Sequence, residues 1–135
     1  MLKKITLLFF AISGILFLYS LTQPVFLFSQ NPAVEGYTVL FFGWFGFLTG
    51  NPGWLANWFF ISAITTSLLG HRKTAISLAS AAILFSLDGF RVKEWYFTEA
   101  AGTPVQSLGT GFYIWVTAIC LTAVGTLFSN HKWIE

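Results

Sequence analysis

Residues 111–128 read GFYIWVTAICLTAVGTLF, eighteen positions without a charge. As a helix this stretch is about 27 Å long at 1.5 Å per residue, close to the roughly 30 Å of a bilayer's hydrocarbon core. Three more stretches have the same character, at about 5–22, 54–70 and 74–90, and the last meets a charge only at Asp88-Gly89. The reading is an all-α fold, an integral membrane bundle of four transmembrane helices forming a single domain over residues 1–135.

Composition agrees with that reading. Apolar residues make up 56% and charged residues 9%, where a soluble domain carries roughly 25% charge. Too few water-facing groups exist to cover a soluble surface. The net charge of +2 and its scatter in short clusters exclude a nucleic-acid stripe. A single cysteine, Cys120, excludes an intramolecular disulfide and is expected as a buried, inert thiol. Met1-Leu2-Lys3-Lys4 before an apolar run has the form of a secretory signal. That run lasts from Ile5 to Leu21, longer than the usual 7–15 residues, and no Ala-x-Ala site follows. A retained first helix is expected, with room for an extension through Val25–Phe28 beyond a kink at Pro24.

One segment does not fit four spans. Tyr37–Leu48 (YTVLFFGWFGFL) is uncharged but only about 18 Å long as a helix. Charge placement arbitrates, because short cytoplasmic loops concentrate Lys and Arg. With four spans, Lys3, Lys4, Arg72, Lys73 and Lys132 share one side, five of the seven basic residues. A fifth span would part Arg72-Lys73 from Lys3-Lys4. Both termini are therefore expected in the cytoplasm, and residues 37–48 form an extra outer-side or re-entrant segment. It is either a half-inserted hairpin, with Gly43, Gly46 and Gly50 allowing close approach to helices, or a short helix over the bundle's outer end.

Local signals set the boundaries. Asn51 is an expected N-cap, and Pro52 suits a first turn. Gly70 before His71-Arg72-Lys73 closes one helix and opens a tight antiparallel return. Trp54, Trp58, Tyr113, Trp115 and Trp133 fall where aromatic belts lie. Ala75, Ala79 and Ala82, with Ala118, Thr122 and Thr126, supply the small residues that membrane helices pack through.

The spans offer no ionisable or metal-binding group, which membrane catalysis and ion transport usually need. His71 and His131 fall at the cytoplasmic edge and read as interfacial or capping residues. No catalytic residue, metal or cofactor is expected, although aromatic-rich helices accept a lipid or pigment. The outer face gathers Trp44, Asn51, Trp54, Asn57 and Trp58 with Asp88, Arg91, Lys93, Glu94, Trp95, Tyr96, Glu99, Tyr113 and Trp115. Mixed charge beside exposed aromatics suits a contact surface for protein or lipid headgroups; an aromatic belt with a solvated loop is the plainer alternative. Asp88 and Arg91 stand one helical turn apart and suit a surface ion pair.

Gly43-Trp44-Phe45-Gly46, Trp54-Leu55-Ala56-Asn57 opening a helix and Gly111-Phe112-Tyr113-Ile114-Trp115 opening the last one together resemble a group of small bacterial inner-membrane proteins. The resemblance covers the middle and C-terminal parts. It implies bacterial origin and four spans, and carries no activity or site residue.

The functional expectation is a non-enzymatic accessory or interaction subunit of the bacterial cytoplasmic membrane, of which a toxin-immunity protein is one form. Its partners would be membrane lipid and another membrane protein or a second copy of itself, with no nucleic acid. The alternative is a small oligomeric transporter or channel with a path lined by Thr65, Thr66, Ser67, Ser77, Ser80, Thr117 and Thr122. An enzyme would have to rely on outer-loop carboxylates such as Glu94 and Glu99.

Overall fold

The computed structural model describes residues 2–97 and 102–129. The protein is mostly helical. Helix α1 spans Leu2–Ser20, α3 Ala56–Leu68, α4 Arg72–Leu87 and α5 Thr110–Leu127. Helix α5 is the central one, packed against α1, α4 and α3, and α3 pairs antiparallel with α4. Three helical stretches are long and apolar enough to cross a membrane: Lys3–Ser20, Arg72–Arg91 and Thr110–Leu127. Helix α3 has 13 residues and is preceded by a 3-10 turn at Pro52–Leu55. The two together reach about 28 Å.

The distribution of side chains is the reverse of a soluble bundle. The largest fully buried side chains are Ile119 and then Thr6, Thr122, Thr126, Ser13, Ser67, Ser86 and Ser129. Leu8, Ile15, Leu18, Ile61 and Leu84 are exposed. Where lipid is the solvent, apolar residues gain nothing by turning inward, so small residues and hydroxyls take the helix contacts. Ala75, Ala79 and Ala82 on α4 and Ala118, Thr122 and Thr126 on α5 are all buried, as their spacing implied. Gly125 lets α1 approach: a Cβ there would lie 2.9 Å from the Phe10 ring. Ser13 Oγ and Thr122 Oγ1 share a hydrogen bond of 2.7 Å between these helices.

Cys120 departs from expectation, since it is exposed on the outside of α5. Of the hydroxyls set out as a polar path, Ser67 and Thr122 are buried and Thr66 is half-buried, while the other four turn outward. Thr65, Ser77, Ser80 and Thr117 are exposed, and each donates to the carbonyl four residues back in its own helix.

One end of the bundle is basic. Gly70 adopts a left-handed φ of 83°, and His71 N–H reaches Thr66 O at 2.9 Å while Gly70 N–H reaches Ser67 O at 3.0 Å. This pair of bonds is the Schellman closure that a C-terminal glycine permits. His71 holds the position before α4 without a side-chain capping bond. Arg72 then donates from Nη2 to Leu127 O at 2.7 Å, satisfying a carbonyl that α5 cannot pair internally. Ser129 Oγ donates to Ser67 O at 3.2 Å. Lys3, Lys4, Arg72 and Lys73 thus share this end. Lys132, His131 and Trp133 lie outside the described residues.

The other end carries a cap that the four-span reading lacked. Pro24–Leu27 is strand β1, not an extension of α1, and pairs antiparallel with β2 (Val34–Glu35) and with β5 (Ser107–Leu108). Pro24 has no N–H for a helical bond, and Val25-Phe26 suits a pleated, half-buried surface. Strands β3 (Glu94–Trp95) and β4 (Thr103–Pro104) make a second ribbon. Helix α2 covers Gly36–Phe42 and continues as a 3-10 helix over Gly43–Thr49. Residues 37–48 are therefore helical throughout.

Candidate functional site

The capped end is where sequence-distant polar and aromatic groups converge. Val25, Phe26, Val34 and Phe112 form its buried core. Gly109 lies so close to Pro24 O that no larger residue fits there, and its N–H bonds Val25 O at 2.8 Å. Phe112, the third residue of α5, fills the space beside Gly89 at the end of α4, where a Cβ would strike its ring. The sheet and two helix ends are thereby locked together.

Asp88 is 8% exposed and sits at the end of α4. Its Oδ2 accepts the Gly53 N–H at 3.2 Å, and its Oδ1 accepts Arg91 Nη1 at 2.9 Å. The expected ion pair forms, but Asp88 is buried and also serves α3. It supplies the acceptor for the first turn at Pro52–Leu55, a role expected of Asn51. Asn51 makes no capping bond, and its Nδ2 turns back to Thr49 Oγ1 at 3.4 Å. Gly46 and Gly50 serve this same reversal. Asn51 N–H bonds Gly46 O at 2.8 Å, and Gly50 takes a left-handed φ of 81°.

The side chains gathered on the outer face do not act as one surface. Trp44, Trp58, Tyr113 and Arg91 are exposed. Trp54, Asn57, Asp88, Trp95 and Trp115 turn inward, while Asn51 is half-buried. Trp54 Nε1 donates to Leu40 O at 2.8 Å, and Gly43 leaves room for its indole. This contact ties α2 to the start of α3. Trp115 Nε1 donates to Asn57 Oδ1 at 2.9 Å, joining α5 to α3. Trp95 lies on Phe26, with ring centroids 5.5 Å apart. Tyr96 O–H donates to Glu94 Oε2 at 3.3 Å. Partial desolvation first, then the bond to Glu94 and its charge, raise the Tyr96 phenol above its ordinary 10.0. Glu99 lies outside the described residues.

Between bundle and cap is a cavity of about 380 Å³. Its walls come from the last turn of α1, the first turns of α3 and α5, and the facing parts of α2, β1 and β3. They are largely aromatic, including Phe17, Phe42, Trp54, Trp95 and Trp115, and among the described residues no Lys, Arg or His lines it. Sequence reasoning missed this cavity. Asn57 and Trp115 lie 58 residues apart, and nothing in either stretch marks them as partners. Among the described residues no three His, Cys, Asp or Glu side chains group to hold a metal.

No family model, curated protein or solved structure matches the chain.

Proposed function

We propose that this chain is a non-enzymatic membrane protein that works by contact, as an accessory subunit or a protective partner of the toxin-immunity kind. In this reading it belongs with the small bacterial inner-membrane proteins it resembles. All four long helices cross the cytoplasmic membrane, both termini and Arg72-Lys73 face the cytoplasm, and the cap faces outward. The observation that carries the contact role is the arm formed by α2 and its 3-10 continuation. Phe41, Trp44, Phe45 and Leu48 stand exposed along it, Leu48 at 80%, while the Trp54–Leu40 bond fixes the arm to the bundle. A rigid arm with a large apolar surface suits binding to another membrane protein.

The direct test places a photo-crosslinking amino acid at Trp44 or Leu48 in cells and recovers the full chain in mild detergent. A crosslinked partner protein or dimer supports the reading; a monomer carrying only lipid adducts from both positions removes it. Orientation is checked separately with Arg72→Cys. Labelling of that thiol by a membrane-impermeant reagent in intact cells would invert the layout.

A further inference from the structure

We propose that the cavity beneath the cap binds a neutral, carbonyl-bearing apolar molecule drawn from the surrounding membrane, with Asn57 as its hydrogen-bond donor. The side chain of Asn57 is nine-tenths buried and lines the cavity. Its amide orientation is fixed, because the Trp115 indole N–H only donates and therefore engages Oδ1. Nδ2, with two donor hydrogens, is left without a partner among the described residues. An unpaired donor that opens on an aromatic chamber suits a ligand carrying an acceptor.

The walls define the rest of the ligand. No cation among the described residues lines the chamber, so a free carboxylate or phosphate would be desolvated without compensation and is disfavoured. Glu94, an acidic side chain in the wall, repels anions further. Aromatic side chains on several sides favour an apolar body, and flat rings in particular. The volume of about 380 Å³ falls within the roughly 300–1,000 Å³ of small-molecule sites. The last turn of α1 and the first turn of α5 lie at the end of the apolar spans, so hydrocarbon adjoins the chamber. Two membrane sources share this chemistry: the acyl ester of an uncharged glycerolipid and the ring carbonyl of an isoprenoid quinone.

The test uses the full chain alone in detergent micelles, so loss of a protein partner does not affect it. Tryptophan fluorescence is followed during titration with three probes: a diacylglycerol with brominated acyl chains, a short-tailed benzoquinone, and a brominated long-chain alkane. Saturable quenching is expected from one of the two carbonyl probes, and which one identifies the source. Asn57→Leu should weaken that probe roughly three- to tenfold, the span of a neutral hydrogen bond, and leave the alkane unchanged. Thr38→Phe, which fills the chamber from its rim, should abolish saturation while thermal unfolding shows the fold intact. Non-saturable quenching by all three probes overturns the proposal. So does saturable binding of a carbonyl probe that a folded Asn57→Leu leaves unaltered, or that a folded Thr38→Phe retains. Should Asn57→Leu fail to fold, Thr38→Phe still decides whether the chamber is the site.

Discussion

The Asp88 carboxylate accepts the Gly53 N–H at 3.2 Å across 35 residues of sequence. A side chain at the end of one helix thereby closes the first turn of another. Gly53 is needed for the approach, since a Cβ there would stand 3.0 Å from Phe85 O. Asp88→Ala removes the acceptor and leaves a buried donor, so a loss of about 1–3 kcal/mol is expected in detergent unfolding. Arg91→Ala should cost less than about 1 kcal/mol, because its side chain is 73% exposed and water screens the pair. Equal losses for the two variants would refute the capping role.

Ser67 Oγ is buried with no hydrogen-bond partner among the described residues, although Ser67 O accepts from Ser129. Ser67→Ala removes an unpaired hydroxyl and keeps the backbone contact. The variant should be more stable by about 1 kcal/mol. A clear loss of stability would mean that the hydroxyl has a partner after all.

Gly125 and Gly14 make a contrasting pair. A Cβ on Gly125 would lie 2.9 Å from Phe10 Cε1 and 3.0 Å from Phe9 Cβ, whereas at Gly14 it would meet nothing within 4 Å. Gly125→Leu should cost at least about 1–3 kcal/mol by forcing α1 away from α5. Gly14→Ala should add about 0.5–1 kcal/mol by restricting the unfolded helix. Thermal unfolding of both variants checks the opposite signs.

Tyr96 offers a pH readout. Its phenol is raised above 10.0, so folding favours the neutral form. That contribution is present below pH 10 and is lost as pH rises through the folded-state value. Ultraviolet titration of wild type against Tyr96→Phe isolates the transition. Glu94→Gln should lower its midpoint only part of the way, because desolvation is the larger cause and stays.

The long helices, three of them apolar enough to cross a membrane, were legible because uncharged runs near twenty residues leave a chain few options in water, and Gly70 and the cationic turn marked where two of them meet. The faces of those helices were not. Lipid is as apolar as leucine, so no periodicity tells which side of α5 meets the bundle, and Cys120 was assigned inward when it is exposed. The cap was hidden for a different reason. Two-residue strands such as Ser107–Leu108 have no pattern of their own and exist only by pairing with β1. Asn51 carried a good local capping signal that a remote carboxylate overrode. Trp115 was read as a belt residue, since an indole at a helix start serves lipid and a buried amide equally well.

The bond between Ser13 and Thr122 joins positions 109 residues apart, and the strand after α1 pairs with the strand before α5. Helices α3 and α4 are joined by only three residues and can meet while the ribosome is still at work. Helix α1 has no such neighbour. In the membrane setting proposed above, it stays without its partner until α5 emerges. Loop closure over that distance is slow relative to a local hairpin, which makes arrival of α5 the step that commits the chain to its final assembly.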